Sequence, residues 1–146
     1  MRALSLPAGR PANVLIAEDD PALRELLAFC FFREGYAVTC CSDGLSLLER
    51  LHDSLEGQDD PIDLVVTDIR MPGLTGLEVL ESLCDQPQRP PVICMTAFGD
   101  PGTHSAALRM RAAATFDKPF DIDTLIDRAR LICPPQRPHS QPRSRS

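Results

Sequence analysis

The segment that says most about the fold is Ile62-Asp63-Leu64-Val65-Val66-Thr67-Asp68-Ile69-Arg70-Met71-Pro72-Gly73. Its first half is rich in apolar and β-branched residues, a composition typical of a buried strand. Because the Met-Pro-Gly that follows cannot continue a strand, we predict that the Asp68 carboxylate lies at the strand's C-terminal end. In an open α/β sheet, this edge is where ligands bind and chemistry takes place.

A second apolar segment, residues 13–17, runs directly into the three acids Glu18, Asp19 and Asp20. Two charges about 5 Å apart repel each other by roughly 3 kcal/mol at an effective dielectric constant of ~20. A bound cation would remove this penalty. The acid run therefore predicts a cation site at the end of the first strand.

Two later apolar segments end in different chemistry: residues 92–95 lead into Thr96, and residues 115–117 lead into Lys118. Carboxylates bind Mg²⁺ through oxygen, a lysine ammonium is a point charge for phosphate oxygens, and a hydroxyl can donate to one of them. The four strand ends together indicate a site for a divalent metal and a phosphoryl group.

Apolar strands and amphipathic helices alternate five times along the chain. Asp20-Pro21 and Asp100-Pro101 each place a capping carboxylate before a proline at the first helical position, and Gly35 ends the first helix. Strands are expected near residues 13–17, 36–40, 62–68, 92–95 and 114–116. Five βα units predict a doubly wound parallel sheet, an α/β fold.

These motifs resemble those of the receiver domain of two-component response regulators. The resemblance covers about residues 12–133 and is carried by segments 17–21, 66–80, 95–97 and 118–120, in the family's order. It implies a flavodoxin-like (βα)5 fold whose five-stranded parallel sheet has the order 2-1-3-4-5. In that order, strands 1 and 3 are neighbours, which brings Glu18 and Asp19 beside Asp68.

The resemblance also implies a role in phosphorelay signal transduction, in which a histidine kinase or phosphotransfer protein transfers a phosphoryl group to Asp68. Such a domain is not an enzyme for an outside substrate; it catalyses its own phosphorylation and slow dephosphorylation. Thr96 and Lys118 would contact the phosphoryl oxygens, and Pro119 would follow a cis bond. The implied Mg²⁺ ligands are Glu18, through water, Asp19, Asp68 and the backbone carbonyl of Arg70.

The sequence departs from the family where a signal would leave the site. Three residues before the lysine, receivers usually carry an aromatic residue, but here that position is Thr115. The Gly-Ala pair common at the end of helix 4 reads Arg111-Ala112. Hydrolysis of the acyl phosphate is expected to depend on Arg70 and Phe98, and the apolar Phe98 cannot orient water, so we predict slow loss of the phosphoryl group.

Two other readings of the acids are open. An aspartate-nucleophile phosphatase would also use Asp68 and Mg²⁺, but such enzymes carry a second acid two residues later, where this chain has Arg70. A pseudo-receiver would act as a scaffold without phosphorylation, although the acid pair is intact. The three histidines share no metal-binding spacing and are expected on the surface: His52, His104 and His139.

Composition fits one domain of 146 residues with 43% hydrophobic content. We expect a disordered extension at residues 1–12, a receiver domain at 13–133 and a disordered Pro/Ser/Arg-rich tail at 134–146. All 21 acidic residues lie within residues 13–133, so direct nucleic-acid binding by this domain is not expected. The sequence has no long apolar run and no paired-cysteine metal spacing, which predicts a cytoplasmic protein without membrane contact. The resemblance implies that it acts on a protein target or on a missing output domain.

Overall fold

The fold is a five-stranded parallel sheet with helices on both faces, in a computed structural model that describes residues 10–58, 60–71, 73, 75–96 and 101–135. The strands are β1 (Asn13–Ala17), β2 (Ala37–Cys41), β3 (Leu64–Asp68), β4 (Val92–Thr96) and β5 (Ala114–Asp117). The helices are α1 (Pro21–Glu34), α2 (Gly44–Leu55), α3 (Gly76–Leu83), α4 (Pro101–Arg109) and α5 (Ile122–Ile132). The strand order β2-β1-β3-β4-β5 confirms the predicted flavodoxin-like arrangement.

Alternating side chains of β1 divide the core between the two faces of the sheet, because successive residues of a strand point to opposite sides. Val14 and Ile16 belong to the cluster that contains α1 and α5 residues. Leu15 and Ala17 belong to the cluster formed with α2, α3 and α4. All four are fully buried. Burial on both faces explains why the central strands read as continuous apolar runs.

Local signals define where the helices begin. Asp20 caps α1, with its side chain accepting from the Ala22 backbone N–H at 3.2 Å, as predicted from Asp-Pro. The N-terminus of α3 has a capping box, in which Thr75 and Glu78 satisfy each other's backbone N–H groups. The segment Thr75-Gly-Leu-Glu78 has the sequence signature of such a box.

Gly76 allows the start of α3 to lie close to the end of β3. Its backbone N–H donates to the carbonyl of Ile69 at 2.9 Å, and a Cβ atom at this position would collide with the carbonyl oxygen of Asp68. The nucleophile candidate and the helix that follows it are therefore held together by a backbone contact that only glycine permits.

Both ends of the predicted domain are extended by a few residues. The buried Ala12 donates its N–H to the Pro135 carbonyl at 2.7 Å, and the Arg10 guanidinium pairs with both oxygens of Asp63 at 3.0 and 3.1 Å. Residues 10–12 and 134–135 thus pack against the domain, in contrast to the prediction that they belong to disordered end segments. The remainder of both segments, including His139, lies outside the described residues.

Helices of the described part are too short or too polar to cross a bilayer.

Candidate functional site

The C-terminal edge of the sheet gathers three carboxylates from two strands. β1 pairs with β3 so that Ala17 lies beside Thr67, and the next residues along the two strands are Glu18 and Asp68. One oxygen from each of Glu18, Asp19 and Asp68 can be chosen so that all lie within 4.8 Å of one another. Glu18 and Asp68 are buried, whereas Asp19 is exposed. The predicted acid cluster therefore has two buried members and one open to solvent.

Lys118 joins this cluster from the loop after β5. Its Nζ donates to Oδ2 of Asp68 at 2.6 Å and to Oε1 of Glu18 at 2.8 Å. Lys118 is the only lysine in the sequence, and it is followed by a cis peptide bond to Pro119, which confirms the predicted isomer. A single ammonium group thus bridges residues that lie 50 and 100 positions away along the chain.

Backbone groups fix the two carboxylates from the other side. The N–H of Arg70 donates to Oδ1 of Asp68 at 2.9 Å, and the N–H of Asp20 donates to Oε2 of Glu18 at 3.0 Å. Each carboxylate therefore accepts one backbone and one lysine hydrogen bond. A shallow surface depression lined by Asp19, Arg70, Met71 and Thr75 opens next to the acids and leaves this side of the cluster accessible.

The electrostatics of the cluster follow from burial and from the lysine. Burial raises the pKa of Glu18, and the nearby Asp68 charge acts in the same direction, while the hydrogen bond from Lys118 opposes both. Burial by itself lowers the pKa of Lys118, but the hydrogen bonds to Asp68 and Glu18 outweigh it, so this pKa is raised. The lysine is thus held in its charged form among negative groups.

Thr96 lies at the same edge of the sheet, but its hydroxyl is directed away from the acid cluster. This side chain is fully buried, and its Oγ1 donates to Oδ1 of Asp117 at 2.7 Å. Nε2 of His104 is 3.2 Å from the same hydroxyl oxygen. In this structure, the Thr96 proton is therefore committed to Asp117.

His104 is the residue that sequence reasoning placed wrongly. We expected a surface side chain, but only 26% of it is exposed, and its ring contacts Thr96, Thr115 and Asp117. No local pattern signals this, because the partners come from two strands and the ring from a helix. Phe98, on which the predicted lifetime of the phosphoryl group depends, lies outside the described residues, as does Asp100.

Comparisons with known proteins agree with this architecture. The family model of the response regulator receiver domain matches residues 14–130. Response regulator RR06 of Streptococcus pneumoniae serotype 2 is 36% identical over 120 residues, which are 82% of this chain and 52% of that protein. The chain thus spans about half the length of this curated relative.

Two further relatives match over most of their own length. Sporulation initiation phosphotransferase F of Bacillus subtilis is 32% identical over 84% of this chain and 94% of that protein. The receiver domain of Francisella response regulator 1452 superposes with a TM-score of 0.72 at 30% identity, covering 84% of this chain and 95% of that one. With the acids, the threonine and the lysine at one sheet edge, these matches lead to one conclusion: the chain belongs to the response regulator receiver domain family.

Proposed function

We propose that this chain accepts a phosphoryl group on Asp68 from a phosphohistidine of a histidine kinase or phosphotransfer protein. The observation that carries the proposal is the bridge from Lys118 to Asp68 and Glu18, at 2.6 and 2.8 Å. A partly exposed ammonium already bound to the acceptor carboxylate is placed to stabilise negative charge that arrives on the same group.

The chemistry asks little of the protein besides positioning. A carboxylate oxygen of Asp68 forms the new O–P bond while the N–P bond of the donor breaks, and its electron pair stays on the donor imidazole. The Arg70 N–H and Lys118 hold the two oxygens of Asp68 in a defined plane beforehand. Lys118 would then pair with the phosphoryl oxygens, because the acyl phosphate carries more negative charge than the free carboxylate.

The acid cluster fits a bound Mg²⁺, since three carboxylates lie within 4.8 Å of one another and one of them is exposed. We propose that Asp19, Asp68 and the backbone carbonyl of Arg70 hold the ion directly. Glu18 would contact the ion through water, as the family resemblance implies. When bound, Mg²⁺ would neutralise charge on the phosphoryl oxygens.

Intact-mass measurement after incubation with acetyl phosphate and Mg²⁺ tests the proposal. Wild-type protein should gain one phosphoryl group that is lost in base, as expected for an acyl phosphate. Asp68→Asn should gain none, whereas Asp85→Asn, which changes an exposed carboxylate after α3, should label like wild type. Equal labelling of Asp68→Asn and wild type would refute the assignment.

The same incubation separates the two other readings. Continuous turnover of a phosphomonoester would favour an aspartate-nucleophile phosphatase, which the basic residue at position 70 argues against. A protein that neither binds Mg²⁺ nor becomes labelled would act as a pseudo-receiver scaffold. In the proposed function, phosphorylation changes the surface that the domain presents to a protein target or to an output domain.

A further inference from the structure

The imidazole of His104 connects helix α4 to the two strands that end beside the phosphorylation site. Its Nδ1 is 2.6 Å from Oγ1 of Thr115 on β5, and its Nε2 is 3.2 Å from Oγ1 of Thr96 on β4. Nε2 also contacts Oδ1 of Asp117, the residue that lies beside Thr96 in the strand register. The His104 side chain therefore contacts the C-terminal ends of both strands.

Hydrogen positions in this network follow from its chemistry. The pKa of Asp117 is lowered, chiefly by the hydrogen bond from His104 and then by that from Thr96, so the carboxylate accepts only. Nε2 must therefore carry the hydrogen that points to Asp117. In a neutral ring, Nδ1 then accepts from the Thr115 hydroxyl, and in a charged ring it donates to it. The network is satisfied in either state.

Thr96 has a single hydroxyl proton, and this proton now points to Asp117. Donation to a phosphoryl group on Asp68 requires that the Thr96–Asp117 bond be broken. Asp117 would keep its hydrogen bond from His104, but the contact between the His104 ring and Thr96 would be lost. Release of the hydroxyl therefore changes the surroundings of a ring that belongs to α4.

Thr115 completes this arrangement. Because threonine has no ring, β5 supplies no aromatic side chain at this position. The ring that contacts Thr96 belongs to His104 on α4 instead. The hydroxyl of Thr115 supplies the polar partner that Nδ1 needs, which an apolar residue of the same shape would not supply.

We infer that His104 is a positioning residue, which holds the Thr96 hydroxyl beside Asp117 in the unphosphorylated protein. When this hydroxyl is released, the contacts of the His104 ring change, and helix α4 responds. This inference rests on the proposed phosphorylation of Asp68. His104 touches neither the acid cluster nor the phosphoryl position; it acts through Thr96.

Nuclear magnetic resonance of the histidine ring nitrogens tests this role in the full chain, with acetyl phosphate and Mg²⁺ as the phosphodonor mixture. On labelling of Asp68, the ring signals of His104 should shift, while those of His52 on α2 should stay unchanged. In the labelled fraction of Thr96→Val, the His104 signals should keep their unlabelled positions, because no hydroxyl is released.

Substitutions of His104 separate hydrogen bonding from packing. His104→Phe keeps a ring but has no nitrogen, so the backbone amide signals of α4 should lose their response to labelling. His104→Gln keeps a donor and an acceptor and should retain part of that response. Thr115→Val removes only the hydroxyl and should weaken it without a change in side-chain shape.

The outcomes distinguish the two proposals. Failure of wild-type protein to label at Asp68 refutes the proposed function. Labelling of Asp68 without a shift of the His104 ring, or a full α4 response in His104→Phe, refutes the role of His104 while phosphorylation stands.

Discussion

Removal of the Lys118 ammonium should destabilise the metal-free protein and increase its response to Mg²⁺. In Lys118→Met, the buried carboxylates of Glu18 and Asp68 lose the only side-chain cation that contacts them among the described residues. Methionine has a similar length and no charge, so the change isolates the electrostatic contribution.

The expected magnitude follows from the geometry. At 2.6 and 2.8 Å, each ion pair has a gross attraction of roughly 6 kcal/mol at an effective dielectric constant of ~20, most of which offsets desolvation. Removing one partner of a buried ion pair lowers the free energy of unfolding by about 3–5 kcal/mol. Because 29% of the lysine side chain is exposed, we expect the lower end, about 3 kcal/mol, or on the order of 10 °C in Tm.

Urea denaturation of wild type and Lys118→Met in EDTA and in Mg²⁺ provides the measurement. Without the ammonium, the acids should bind Mg²⁺ more tightly, and each tenfold decrease in Kd adds about 1.4 kcal/mol of stabilisation at saturating metal. Arg109→Met, which removes an exposed cation at the end of α4, is the control and should change little. A loss below about 1 kcal/mol in EDTA, or equal Mg²⁺ stabilisation of both proteins, would contradict the reasoning.

Four further predictions follow from single residues. Asp19→Ala should weaken Mg²⁺ binding in a calorimetric titration yet leave stability in EDTA nearly unchanged, because Asp19 is exposed. Arg111 has a φ of 69°, where a non-glycine residue is strained, so Arg111→Gly should raise the free energy of unfolding by up to about 1 kcal/mol in urea. Burial raises the pKa of Tyr36 to about 12, so the folded state holds this proton more tightly than the unfolded state. Its stabilising contribution is complete below the unfolded pKa of about 10 and lost as the pH rises towards 12. The free energy of unfolding of Tyr36→Phe should therefore fall less steeply with pH in this range than that of the wild type. Phe98→Gln should shorten the lifetime of the acyl phosphate in a decay time course, since a glutamine can orient water; unchanged decay would contradict this explanation.

Much of the fold could be predicted because its signals are local. The Asp20-Pro21 start of α1, the apolar run that ends at Asp68 and the breaker after it depend on residues adjacent in the chain. Errors at the other boundaries are one or two residues, as with β5, which continues to Asp117. The acids, Thr96 and Lys118 could be named as site residues because each follows an apolar strand, and the C-terminal ends of parallel strands share one edge.

From residue patterns, the class of fold and the family could thus be predicted and are confirmed, whereas the roles of the candidate site residues stay a prediction. Strand order came from the family resemblance and not from spacing, since many orders are compatible with five βα units. Two features became visible only in the folded protein: one ammonium bridges Glu18 and Asp68, and His104 contacts Thr96, Thr115 and Asp117. The physical reason is that these contacts join residues from different elements, and their distances depend on how helices pack against the sheet, which no local pattern of residues encodes.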